Sequence, residues 1–361
     1  MNLETVSALL RSSGPFLTAY VDLTRDTADA EHRIELAWRA VRERLGREGT
    51  PVGLTDLVEE RVLWPTSAPG PVNRMVVAAD GEVLLDEEVR QAGSADVATW
   101  GPLPDVTTWL SDRDMMIPVL LAVADREGAD LEYYAAWPGY PVDEESIDGE
   151  TLYITKVPGG AWAHKYHRHR TEEVRRRDAD EVAGEIDQRA QGGASLIALA
   201  GDVRAVGAIQ EALSEPAASN VVVLDEGSRA DGSSREKLDH AVDQAVRDIV
   251  LTEHLNIVRE IEEGSGQRGD AVHGLPDVIE NLVQGRVRTL AMAPRIAAQN
   301  EVAPAEYAGL PLPEHALKQS RLRADLVAVC AAAATDAEVV MLGAASLPQD
   351  GIAAILRWGS A

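Results

Sequence analysis

Residues 158–177 read PGGAWAHKYHRHRTEEVRRR and gather side chains whose chemistry suits contact with RNA. Three of the eight histidines, His164, His167 and His169, and six of the thirty-four Lys and Arg residues fall between His164 and Arg177. Lys165, Arg168, Arg170, Arg175 and Arg176 can meet phosphate oxygens, while Trp162 and Tyr166 can stack on a base. Gly159 and Gly160 would let the backbone adopt positive φ and approach a crowded polyanionic surface. The same stretch also fits a solvated loop whose arginines at 175–177 pair with neighbouring glutamates. Composition alone leaves both readings open.

Other chemistry is less well served. On one helix His164 and His167 could share a face while His169 would point elsewhere, and Lys165, Arg168 and Arg170 would repel a cation, so no metal site is expected. No P-loop, dinucleotide fingerprint, HExxH or nucleophile elbow occurs, and no cofactor is implied. Cys330 is the single cysteine and sits in LVAVCAAAA, where a small buried hydrophobe is expected. The acid pairs Glu144-Glu145 and Glu172-Glu173 suit solvated faces, with nothing in their spacing to raise a pKa. No catalytic residue is assigned.

The elements that position this stretch belong to an acidic chain of 361 residues with net charge −26. That charge argues against a general affinity for nucleic acid or anionic membrane. Residues 1–112, 113–230 and 231–361 carry −9, −10 and −7, so no third is basic as a whole and any RNA contact must be local. In the middle third half of the twelve basic residues lie in the opening stretch. No apolar run is long enough to span a bilayer and no signal-peptide pattern opens the chain, so a cytoplasmic protein without membrane contact is expected.

The expected fold is α/β, in three domains at 1–112, 113–230 and 231–361, with mixed sheets flanked by helices. In the first, PFLTAYVDL reads as a strand, 29–45 and 54–62 as helices, and Asp80-Gly81 as a hairpin turn. The second opens on a hairpin turning at 126–128. A strand TLYITKV then leads into the Gly159-Gly160 loop, and a helix is expected from Thr171 to about residue 191 with Val174, Val182, Ala183 and Ile186 buried. Gly192-Gly193 ends that helix, and ASLIALAGD, VRAVGAIQEALS and NVVVLD read as strand, helix and parallel strand. The third is a compact α/β sandwich with a long helix at 235–263, an irregular insertion at 297–315, a strand EVVML and a terminal segment IAAILRW.

A strand into a Gly-Gly loop, then basic and aromatic residues, then a helix beginning TEEVRRRDADEV resembles the central domain of the class 1 release factor and Pelota superfamily. GPFLTAYVDLTRDTADAEHR, HRTEE, GSGQRGDAVHGLPDVIENLVQGRVRTL and QDGIAAILRW resemble its bacterial branch, close to mycobacterial dormancy-associated members and the ribosome hibernation factor Balon. The resemblance implies a release factor/Pelota-like architecture that occupies the ribosomal A site. Its first domain would face 16S rRNA at the decoding centre, and its central loop 23S rRNA near the peptidyl transferase centre. Its last domain would meet EF-Tu or another translational GTPase.

Release factors present Gly-Gly-Gln where this chain has Gly159, Gly160 and Ala161. An alanine side chain can neither position water nor accept a hydrogen bond, so hydrolysis of peptidyl-tRNA is not expected. The stop-codon signature Asn-Ile-Lys-Ser is absent as well. Gly264-Ser265-Gly266-Gln267 contains a Gly-Gln pair, but it follows a long helix and reads as the loop that ends it. The expectation is a hibernation or protection factor, with a rescue factor using a diverged loop as the alternative.

Overall fold

The computed structural model describes residues 1–66, 70–90, 97–148, 161–229, 233–265, 269–347 and 350–358, with backbone alone at 161–175. The chain divides into two compact units, Met1–Asp114 with Val250–Ala361, and Met115–Ile249. The first and last of the three expected segments thus share a unit while keeping separate sheets.

The first segment runs α1 (Glu4–Leu9), β1 (Phe16–Asp22), α2 (Ala30–Arg47), α3 (Val52–Val62), β2 (Asn73–Ala79), β3 (Glu82–Val89), β4 (Val97–Gly101) and α4 (Thr107–Asp114). The middle runs β5 (Ile117–Ala124), β6 (Gly128–Trp137), β7 (Asp143–Asp148), α5 (Ala161–Ala190), β8 (Leu196–Gly201), α6 (Val203–Ala212), α7 (Glu215–Ala218) and β9 (Val221–Val223). The last runs α8 (Arg235–Glu263), β10 (Ala271–His273), α9 (Leu275–Val283), β11 (Val287–Met292), α10 (Pro294–Ala297), β12 (Glu301–Val302), α11 (Glu314–Leu317), β13 (Leu322–Arg323), α12 (Ala324–Ala334), β14 (Glu338–Met341) and β15 (Ile352–Leu356).

In the first unit the N-terminal sheet has the antiparallel order β3-β2-β1-β4. Its hairpin turns at Asp80 (φ 53°) and Gly81 (φ 85°), the two positive-φ positions that a tight hairpin needs. Ile34, Trp38 and Leu45 from α2, and Leu54, Val58 and Val62 from α3, cover Leu17, Ala19 and Val76. The C-terminal sheet has the order β10-β15-β11-β14, with β11 and β14 parallel. Ile261 of α8 packs there against Ala291, Ala353 and Ile355, and Cys330 lies fully buried in α12 as expected.

A buried ion-pair cluster joins these two segments. Arg323 donates to Asp105 at 2.6 Å and to Asp325 at 2.6 Å, and Thr107 donates to Asp325 at 3.2 Å. Asp325 is wholly buried and Asp105 nearly so. Burial pushes the Asp105 carboxyl above its ordinary value, while Arg323 pulls it down.

The second unit is built on a five-stranded sheet of order β7-β6-β5-β8-β9, in which β5, β8 and β9 are parallel. The expected hairpin and the strand–helix–strand crossover are both present. Two features differ from expectation. An edge strand, β7, forms from DEESID, whose acids leave no apolar alternation to read and protect the sheet edge from further pairing. In addition, α5 begins at Ala161 and not at Thr171. Ala161, Ala163, Lys165, Arg168 and Arg170 are good helix formers, and no Gly or Pro interrupts them, so the helix extends back past its apparent Thr-Glu-Glu start. The expected strand at 151–157 lies outside the described residues.

Candidate functional site

The candidate site is the first half of α5. Trp162, His164, Lys165, Tyr166, His167, Arg168, His169 and Arg170 were expected on a loop, and that expectation is corrected: they stand on the helix, as do Ala161, Arg175 and Arg176. Arg176 is exposed. Gly159 and Gly160 lie outside the described residues. Residues 161–177 carry six Lys or Arg and two Glu, a net of +4, over a length of about 25 Å at 1.5 Å per residue.

The second half of the helix is built into the core. Ala179, Val182, Ala183 and Ile186 are buried against Leu120, Ala122 and Ile197 of the sheet. Three of the four expected core positions are thus observed, and Val174 falls among the residues with backbone alone. Arg189 reaches back to the edge strand, pairing with Asp143 at 3.0 Å and Glu145 at 2.5 Å, and also with Glu185. Asp187 accepts from the Ser214 backbone N–H and hydroxyl, tying α5 to the turn after α6. Gly193, at φ 99°, ends the helix as expected.

Where the halves meet, a shallow groove of about 90 Å³ is lined by Asp125, Arg126, Asp178, Asp202 and Arg204 over a floor that includes Ala179, Val182 and Ala205. At that volume it is well below the roughly 300 Å³ of a typical ligand pocket. Its geometry is set by the carboxyl ends of β5 and β8. Gly201 has φ 118°, and a Cβ there would fall 1.9 Å from the Ala124 carbonyl oxygen, so only glycine lets β8 pass this close. Asp202 then caps α6, accepting from the N–H groups of Arg204 at 3.0 Å and Ala205 at 3.2 Å. Burial pushes its carboxyl up, but these N–H groups and Arg126 at 3.3 Å hold it below the ordinary carboxylate value.

A second arginine closes the β5–β6 turn. Arg229 donates to Asp125 at 3.2 Å, Asp130 at 3.0 Å and Asp148 at 3.3 Å. Burial pulls its guanidinium down, yet the carboxylates hold it above the ordinary arginine range. Beside it Arg235 grips Glu132 at 2.6 and 2.7 Å and Tyr134 at 2.6 Å. Asp178, Asp180 and Glu181, together with the carboxylates of the groove, form an acidic foot under the basic half. Its signal was present in the run RRRDADE. Among the described residues no group of His, Cys, Asp or Glu is arranged to hold a metal, and no helix is long and apolar enough to cross a membrane.

Residues 118–267 match the bacterial archaeo-eukaryotic release factor family 2. That segment is release-factor-like. The resemblance to the bacterial branch of the class 1 release factor and Pelota superfamily is therefore borne out there. An uncharacterized protein of Mycobacterium tuberculosis is 28% identical over 370 residues, covering 100% of this chain and 98% of that protein. Pelota of Archaeoglobus fulgidus aligns at 16% identity and a TM-score of 0.35, over 81% of this chain and 86% of its own. Dom34 of S. cerevisiae, a translation termination-like factor that interacts with Hbs1, aligns at 8% identity and a TM-score of 0.41, over 80% of this chain and 81% of its own.

The match ends at 267, so the matched segment takes in Gly264 and Ser265. Both residues form a π turn closing α8, with the Ser265 hydroxyl donating to the Ile261 carbonyl at 2.6 Å. The reading as a helix-ending loop holds for Gly264 and Ser265, while Gly266 and Gln267 lie outside the described residues.

Proposed function

We propose that this protein is a ribosome-associated factor that occupies the A site of idle or stalled ribosomes and protects them without hydrolysing peptidyl-tRNA. The release-factor family match over 118–267 supports the ribosomal assignment. The observation that carries the non-hydrolytic part is Ala161, the first residue of α5, at the place where release factors carry glutamine. A methyl group there offers no acceptor for water. Lys165, Arg168, Arg170, Arg175 and Arg176 supply phosphate contacts, and Trp162 and Tyr166 supply stacking. In this reading EF-Tu or another translational GTPase delivers the factor to the ribosome.

Sedimentation with 70S ribosomes tests the binding. Wild type pellets at low salt and Lys165→Glu/Arg168→Glu/Arg170→Glu does not; equal pelleting of both refutes the RNA-contact assignment. Incubation with ribosomes carrying labelled peptidyl-tRNA tests the chemistry. Peptide release that survives Gln267→Ala but is lost on deleting Gly159 and Gly160 would establish a rescue hydrolase instead.

A further inference from the structure

Helix α5 changes sign at a single step. Residues 161–177 hold six Lys or Arg against two Glu, whereas residues 178–190 hold five acids against Arg189 alone, so the net charge passes from +4 to −4. Asp180 and Glu181 stand at this step. Both are exposed, and neither makes a hydrogen bond or ion pair among the described residues. Of the other three acids, Glu185 pairs with Arg189, Asp187 receives the Ser214 N–H and hydroxyl, and Asp178 lines the groove. Asp180 and Glu181 also contribute nothing to the core, which is served by Ala179, Val182, Ala183 and Ile186.

Two uncompensated acids at the end of an RNA-directed helix act on any phosphate that approaches it. Arg176 and Asp180 are four residues apart, about 6 Å of helical rise. That is within the Debye length of about 8 Å at physiological ionic strength, so phosphates bound at Arg176 feel the carboxylates with little screening. Asp178 stands between them and Arg176, lining the groove where Asp125 and Asp202 are held by Arg229 and Arg126. An RNA strand lying along the helix therefore meets attraction over the first seventeen residues and repulsion over the next several. Only RNA presented to the helix tip gains the full attraction, because an unconstrained strand must also run along the acidic foot.

We propose that Asp180 and Glu181 are specificity-determining residues that confine RNA contact to the first half of α5 and suppress binding to RNA at large. This rests on the reading of 161–176 as the RNA-contacting surface. The ligand it selects against is unstructured single-stranded RNA, which can align with the helix in any register. The ligand it tolerates is RNA held in a fixed cavity that receives the helix end-on.

The experiment measures binding of labelled poly(U) as a function of salt for wild type, Asp180→Lys/Glu181→Lys and Asp180→Asn/Glu181→Gln. The lysine variant should bind poly(U) about tenfold more tightly than wild type. Its plot of log K against log salt should steepen by about 1.4, since each added phosphate contact on a single strand contributes about 0.7. The neutral variant should gain a smaller part of the affinity and little of the slope, and it keeps the test decisive if the lysine pair lowers stability. Poly(U) affinity of the neutral variant equal to wild type would overturn the proposal, since added lysines attract RNA on any surface. Pelleting of wild type with ribosomes is read separately. If wild type fails to pellet while the neutral variant gains poly(U) affinity, the ribosomal reading falls and the role of Asp180 and Glu181 stands.

Discussion

The two halves of α5 share one backbone but are held by different forces. Residues 178–190 bury Ala179, Val182, Ala183 and Ile186 under the sheet and anchor Arg189 on β7, whereas residues 161–177 carry a net charge of +4 in an acidic chain. The buried half answers to the protein's own core. The basic half carries the charge that the proposed RNA contact would use. A helix of 30 residues is about 45 Å long, enough to keep the two halves apart.

Substitutions that act on one half and spare the other test this division. The largest effect belongs to Ile186→Ala, which should lower stability by about 2–5 kcal/mol through lost burial and a cavity. Thermal melting measures it, and ribosome pelleting of the protein that remains folded should stay unchanged. Next, Lys165→Glu/Arg168→Glu/Arg170→Glu should weaken ribosome binding by about 100-fold at moderate salt while shifting the melting temperature little. A large drop in that temperature would break the comparison by giving the basic half a structural duty.

Smaller effects sharpen the boundary. Arg189→Ala should cost about 1 kcal/mol, because its three carboxylate partners remain partly solvated. Asp202→Ala removes the α6 cap and should also cost about 1 kcal/mol at neutral pH. The folded-state pKa of Asp202 lies below its ordinary value of 3.8. Its charged-state contribution is therefore present above that pH and lost as pH falls through the folded value. Melting curves of wild type and Asp202→Ala should accordingly converge at the acid end.

Much of the scaffold was legible because it depends on local patterns. Asp80-Gly81 fell between two apolar runs and formed the hairpin turn, and the bounds of α8 were readable from its amphipathic pattern and flanking loops. The acidic strand β7 was not legible, since an edge strand is recruited by its neighbour's backbone and needs no apolar side chains. The start of α5 was misplaced for a related reason. A Thr-Glu-Glu run is a good N-terminal signal only when no helix already passes through it. Of the site, the basic cluster and its position before a core helix were readable; the carboxylates from β5, α5 and α6 that gather at its foot depend on tertiary packing.

The ion-pair cluster of Arg323 with Asp105 and Asp325 also sets an order of events during synthesis. Arg323 follows Asp105 by 218 residues, which at 5–20 residues per second is a delay of about 10–40 s. Throughout that interval Asp105 exists without the cation that neutralises it in the finished protein. The segment 115–249 is complete well before then. The middle unit can therefore fold while the unit that flanks it still waits for its second half to leave the ribosome.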